Sequence, residues 1–169
     1  MLIYEQHLPT TFRDAFTAKV QRIAAQLGIP ADWLMGVMWQ ESRLRPAARN
    51  AGSGATGLIQ FMPATATALG TTTDALAAMD ALAQLDWVQK YFAPYAGKLH
   101  SFADTYFAVF FPAAIGKPDS WVLSSAKQSA YKVATYNNIY DLNRDGQLTV
   151  AEVKNKLPDV EGLKKKRQP

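Results

Sequence analysis

Apolar residues recur in this chain at three- and four-residue spacing, and no run alternates long enough to demand a sheet, so the pattern predicts a mainly α fold. Helices are predicted at about Thr11–Leu27, Ala31–Leu44, Pro63–Leu69, Asp74–Phe92, Phe102–Phe111, Ala126–Asn137 and Val150–Leu157. Gly28-Ile29-Pro30, Pro94, Pro112, Gly116-Lys117-Pro118 and Pro158 punctuate them. Trp121-Val122-Leu123 reads as a short extended piece. The segment from Asp74, with Leu76, Met79, Leu82, Leu85, Val88 and Tyr91, has the period of a core-facing helix. Core packing also explains Phe107, Val109, Phe110 and Phe111. With 169 residues, 49% of them hydrophobic, the chain is long enough for one domain with a substantial core.

Within the second predicted helix, Pro30 suits the first turn, Asp32 favours the N-terminus, and Leu34, Val37, Met38 and Glu41 share one stripe. Glu41 therefore falls on the buried face. Desolvation there, and the negative end of the helix dipole if the helix stops near Arg45-Pro46, predict a carboxyl held above its ordinary range. A carboxylic acid kept protonated near neutral pH in a cleft is what glycosidic bond cleavage asks of its general acid. The plainer alternatives are a Glu that reaches to solvent, or a structural ion pair with Arg43, Arg45 or Arg49.

The following loop favours the chemical alternative. Asn50-Ala51-Gly52-Ser53-Gly54-Ala55-Thr56-Gly57 is a glycine-rich polar stretch suited to close approach of backbone and ligand, and it leads into a helix beginning near Pro63. Glu41-Ser42, followed by Gly57-Leu58-Ile59-Gln60-Phe61-Met62-Pro63-Ala64-Thr65-Ala66, resembles the catalytic signature of the soluble lytic transglycosylases of the lysozyme-like superfamily. That resemblance covers about residues 18 to 68. It implies a single-domain lysozyme-like helical fold, residues 1–157, with Glu41 as general acid and base, Ser42 beside it, and Ile59 and Gln60 lining a sugar cleft. Ile59 stands where the family usually has Met, a volume-preserving change. The family's downstream Ala-Tyr-Asn-Ala-Gly motif has no intact copy here. Tyr106-Phe107-Ala108-Val109-Phe110-Phe111-Pro112 and Ala134-Thr135-Tyr136-Asn137-Asn138 resemble fragments of it, which makes Tyr106, Tyr136 and Asn137 the candidates for a third wall. A phenol brings both an apolar face for a sugar and a hydroxyl.

From Ser42 through Thr73 there is no Asp or Glu. A retaining pair of carboxyls sits about 5–5.5 Å apart and an inverting pair about 6.5–9.5 Å. Asp74, Asp80, Asp86 or Asp104 could supply the partner only through tertiary folding, and Asp74 and Asp104 read as helix N-terminal residues. By resemblance to the family, a lone Glu41 protonates the glycosidic oxygen and then takes the proton of the sugar's own 6-hydroxyl, so the product is a 1,6-anhydro-muramoyl end of peptidoglycan. A lysozyme-type hydrolase on the same fold is the alternative, and a non-catalytic wall-binding component of a phage or tail particle is another.

A second motif lies at Asp141-Leu142-Asn143-Arg144-Asp145-Gly146-Gln147-Leu148-Thr149-Val150-Ala151-Glu152. Asp141, Asn143 and Asp145 supply oxygens at alternating positions, Gly146 permits the sharp turn, Gln147 offers its carbonyl, and Glu152 can close the shell with two oxygens. The segment fits an EF-hand-type calcium loop with a structural Ca2+. Its rival is an Asx-rich turn into a helix capped by Thr149 and Glu152. Arg144 opposes a bound cation, and no paired hand is recognisable.

The chain has no Cys, which removes disulfides and thiol chemistry. His7 and His100, isolated from each other and from paired acids, read as surface residues. Residues 1–7 lack the basic start and apolar run of a secretory signal, and no segment could span a bilayer. The expected partner is therefore the glycan strand of the wall, reached after lysis, particle delivery or non-classical export, with no nucleic acid and no membrane span. Net charge is +4, much of it in Lys164-Lys165-Lys166-Arg167, and residues 158–169 are expected to form a flexible basic tail drawn to the anionic wall.

Overall fold

The computed structural model describes residues 1–166, apart from the side chain of Lys164. Its helices run in the order α1 (Arg13–Leu27), α2 (Ala31–Ser42), α3 (Pro63–Leu69), α4 (Thr73–Ala78), α5 (Ala81–Phe92), α6 (Phe102–Phe110), α7 (Ala130–Tyr136), α8 (Val150–Lys156) and α9 (Val160–Lys165). Among the described residues extended pairing is limited to isolated bridges, so the fold is mainly α with no sheet, as the periodicity predicts. It forms two compact units, Met1–Lys98 with the segment from Asp159 onward, and Leu99–Pro158.

In the first unit α1 packs against α2 and α5. Its buried residues Phe16, Val20, Ile23, Ala24 and Leu27 form one stripe, and Gly28, at a φ of 73°, closes it by donating to Ala24 and Ala25. Helix α2 is buried on most sides, through Leu34, Met35, Gly36, Val37 and Met38. Pro30 is its N-cap, so the helix starts at Ala31 as predicted, and it ends at Ser42 rather than Leu44. Asp32, 4% exposed, accepts from the Ile3 backbone N–H, which fastens Leu2, Ile3 and Leu8 into this core. Trp39 stacks with Tyr4 and with the exposed ring of His7.

The single helix predicted over Asp74–Phe92 is two. Met79 is extended, and the Asp80 carboxylate accepts from Ala83, starting α5 anew. Helix α5 consequently buries Ala81, Gln84, Leu85, Val88 and Phe92. The tail also departs from expectation. Asp159 accepts from Gly162, Val160 is 2% exposed, the Glu161 carboxylate accepts from the Trp33 indole, and α9 packs on α2. Arg167, the end of the basic run, lies outside the described residues.

The second unit begins with α6, capped by Ser101, whose hydroxyl accepts from Asp104. Helix α7 starts at Ala130 rather than Ala126, because the Ser125–Gln128 turn precedes the Ser129 cap. The predicted extended piece is real but minimal: Leu123 donates to Leu148 at 2.7 Å, Val150 donates to Trp121 at 3.0 Å, and Val122 bridges Thr149. Leu123 and Leu148 are fully buried at this crossing.

Candidate active site

Helix α2 delivers Glu41 and Ser42 in its last turn and then stops abruptly. Arg43 and Leu44 are both left-handed, at φ of 56° and 60°, conformations that non-glycine residues adopt only at a cost. Arg43 folds back, its guanidinium 5.1 Å from the Trp39 ring centroid and donating to the Trp39 carbonyl. Arg45 instead donates from Nε to the Ser42 carbonyl at 3.1 Å. Arg49 pairs with Asp74 at 2.6 Å. Ser42 is buried, and its hydroxyl donates to the Leu58 carbonyl at 2.9 Å with the Met38 carbonyl also in reach at 3.1 Å.

The loop after α2 is built from its own backbone. Asn50 receives the Gly52 and Ser53 N–H groups on Oδ1 and exchanges main-chain bonds with Gly54 and Ala55. Thr56 and Phe61 bond reciprocally, and Gly57 donates to Ala48 at 2.8 Å. That closed turn forces Gln60 to a φ of 52°. Its amide donates to the carbonyls of Ala48 and Gly57, both at 3.1 Å. The result is a pocket of about 590 Å³ lined by Glu41, Arg45, Pro46, Ala47, Ala48, Arg49, Asn50 and Gln60. Half-buried Glu41 is the one acid in that lining among the described residues.

Behind the pocket stands a residue the sequence reading missed. Gln84 on α5 is fully buried, accepts from the Leu58 N–H at 2.5 Å, and donates to the carbonyls of Pro46 at 3.0 Å and Leu76 at 2.8 Å. Gly57, at a φ of 91°, faces it, and a Cβ there would lie 2.5 Å from the Gln84 Oε1. Glycine is thus required both by conformation and by space. Its signal was the register of Ala81, Gln84, Leu85 and Val88, which only the break at Asp80 establishes.

Tyr91, one helical turn before the end of the unit's aromatic cluster, meets Phe61 edge-on at 6.0 Å. Burial pushes its hydroxyl well above the ordinary phenol range, and Tyr95 and the negative charge of Glu41 push it further. Tyr91 also donates to Tyr95, whose own upward shift comes from burial and is reduced by that bond. A phenol that keeps its proton in the field of Glu41 is a second polar feature the periodicity had assigned to core packing.

The other predicted residues are distributed as follows. Ile59, 1% exposed, packs in the core of the first unit rather than in the pocket lining. Tyr106, Tyr136 and Asn137 belong to the second unit. Tyr106 is 3% exposed and shares a 2.8 Å hydrogen bond with the Tyr140 hydroxyl. Tyr136 is 78% exposed, and the Asn137 side chain donates to the Val133 carbonyl at the end of α7.

In the 141–152 loop, Asp141 accepts from Gly146, Asn143 from Asp145, and Asp145 from Gln147. Arg144 and Gly146 are left-handed, at φ of 59° and 77°. Glu152 accepts from Leu142 on Oε1 and from the Thr149 N–H and hydroxyl on Oε2. Burial would raise this carboxyl, but the hydrogen bonds from Thr149, Asn143 and Leu142 outweigh it and hold it below its usual value. Asp141 Oδ1 is buried with no hydrogen-bond partner, an orphan that suits a cation. Against that, no three His, Cys, Asp or Glu side chains converge as a metal cluster among the described residues. The capping box and the calcium loop therefore draw on the same Glu152.

Residues 19–95 match the family model of the transglycosylase SLT domain. The matched span includes Glu41, Gln60, Gln84 and Tyr91, and the members of that domain family cleave glycosidic bonds of peptidoglycan. Neither the curated proteins nor the solved structures gave a match. No helix among the described residues is long and apolar enough to cross a membrane.

Replacing Gln84 by Leu leaves the buried Leu58 N–H unpaired, at a cost of about 1–3 kcal/mol, and removes a donor from the part-buried Pro46 carbonyl and from the Leu76 carbonyl, which keeps the Met79 N–H. Allowing for relaxation, urea unfolding of Gln84→Leu is expected to show a loss of at least ~2 kcal/mol. An unchanged midpoint would mean that water or a rearranged loop replaces the amide.

Proposed function

We propose that this chain is a peptidoglycan lytic transglycosylase in which Glu41 is both acid and base. The observation that carries the reading is the meeting of Glu41 and Gln60 in one pocket, inside the span that matches the SLT domain. In the forward step Glu41 gives its proton to the glycosidic oxygen as the bond from the muramoyl C1 breaks, and the N-acetyl group of that sugar stabilises the oxocarbenium-like centre. The 6-hydroxyl oxygen then bonds to C1 and its proton passes to Glu41, which restores the acid and closes the anhydro ring without consuming water. The lack of a second acid in the pocket lining among the described residues favours this route over a two-carboxylate one. Asp74 is committed to Arg49, Asp86 to Lys19, and Asp80 to the α5 cap.

Glu41→Gln keeps the shape and removes the proton donor, so release of fragments from sacculi is expected to fall at least ~10²-fold with the fold intact by circular dichroism. Unchanged lysis would remove Glu41 from the chemistry. Mass spectrometry of the wild-type digest should show ends lighter by one water than a hydrolysed reducing end. Reducing ends alone would identify a hydrolase, and intact sacculi a wall-binding component.

The same proposal includes a structural calcium ion in the 141–152 loop, supported by the orphaned Asp141 oxygen and the spacing of the donors. Asp141, Asn143, Asp145, the Gln147 carbonyl and Glu152 would hold it, and the ion would supply charge neutralisation among these acids and no chemistry. Calcium is expected to raise the melting temperature, the stabilisation being about 2.7 kcal/mol at a hundredfold excess over the dissociation constant, with magnesium less effective. A calorimetric titration without calcium binding, joined to a melting curve indifferent to chelator, would leave the segment as a capped turn.

A further inference from the structure

Three arginines follow Glu41 within eight residues, and the fold gives each a different fate. Arg43 is spent on the Trp39 ring and carbonyl, and Arg49 on Asp74. Arg45 is exposed, lines the pocket with Glu41, and has no carboxylate partner among the described residues, whose ion pairs are those of Lys19, Arg49 and Lys154. Its Nε is tethered to the Ser42 carbonyl. That tether fixes the plane of the guanidinium while leaving both terminal amino groups able to take a carboxylate as a fork. The two consecutive left-handed residues before it are the backbone's cost for this placement, since without them the helix would continue past Ser42.

We propose that Arg45 anchors a carboxylate of the substrate beside Glu41, so that the pocket prefers glycan strands carrying free carboxyl groups over neutral β-1,4 glycans. This rests on the peptidoglycan-cleaving reading of the pocket. Such a carboxylate comes either from the stem peptide or, where that peptide has been removed, from the lactyl group of the muramoyl sugar. Either fits an exposed guanidinium in a pocket whose lining holds a single acid among the described residues. Arg49, already neutralised by Asp74, contributes less.

The test measures binding by the Glu41→Gln protein, which cannot consume its ligand, to three immobilised glycans: intact sacculi, sacculi amidated with carbodiimide and ammonia, and amidase-treated strands. Adding Arg45→Ala is expected to weaken binding to intact sacculi about three- to tenfold, as befits a partly exposed charge-assisted pair, with Arg45→Lys in between. The difference should shrink at about 1 M salt, where screening acts over about 3 Å, and on amidated sacculi the two proteins should converge. Dependence on Arg45 that persists on amidase-treated strands assigns the lactyl carboxylate; dependence confined to intact sacculi assigns the stem peptide. Equal losses on charged and amidated sacculi, no loss on any glycan, or no binding at all would overturn the proposal. Failure of the parent reading looks different: wild-type protein would release no muropeptide fragments, whatever stands at position 45.

Discussion

The first unit's pocket hangs on the peptide groups of Leu58. The N–H is taken by Gln84 on α5 and the carbonyl receives the hydroxyl of Ser42 on α2, so one residue of the glycine-rich loop is held from both sides. Because Gln84 also donates to Pro46 and Leu76, the same amide fixes the segment leaving α2 and the end of α4. The bonds to Leu58 and Leu76 are buried and that to Pro46 is partly so, and away from water an unmade bond costs the desolvation of its donor or acceptor. Gln60 inherits its position from this frame: its turn is closed by Thr56 and Phe61, and its amide returns to Ala48 and Gly57. The geometry around Glu41 is thus set by helices on both sides of the loop rather than by the loop itself.

How much of this could be read beforehand depended on whether a local rule was in competition. Pro63 starting α3 and Gly28 ending α1 followed from single residues whose conformational preferences have no rival, and the mainly α class from the apolar periodicity. Glu41 and Gln60 line one pocket. The stretch from Asp74 to Phe92 misled because Leu76, Met79, Leu82 and Leu85 keep a three-residue rhythm straight through a helix break. Asp80 outcompetes that rhythm by capping Ala83. With the register set by Leu82, Gln84 fell on the side of the helix where a glutamine needs no explanation. The basic residues near the end concealed α9 in a similar way, since Val160 and Glu161, not the lysines, attach it to the first unit.

The second unit shows a limit of a different kind. Glu152 completes a capping box with Thr149 and is also the residue that the calcium-loop pattern asks for at its last position, so residue identities could not separate the two. Geometry adds two facts that spacing lacked. One oxygen of Asp141 is buried without a donor. The loop's Leu148 is also clamped by Leu123, and the Ala151 N–H by the Asp119 carbonyl, while Lys154 pairs with the Asp119 carboxylate. The short piece around Trp121 therefore braces the loop and the start of α8 together, a supporting role that a search for a second ligand-bearing loop could not reveal.

Backbone strain in the described residues is concentrated where the chemistry is proposed. Of the five non-glycine residues at positive φ, Tyr4, Arg43, Leu44, Gln60 and Arg144, three frame the pocket. Glycine would relieve each of them, yet glycine cannot replace what these side chains do. At position 60 it would remove the amide that bonds Ala48 and Gly57; at 43, the guanidinium over Trp39; at 44, a side chain 5% exposed in the core. Each strained position is retained by an interaction whose loss would cost about as much as the strain itself, roughly 1–3 kcal/mol. The sharp turn after Ser42 is for that reason a constrained element of the site, and it is what brings Arg45 back to the pocket that contains Glu41.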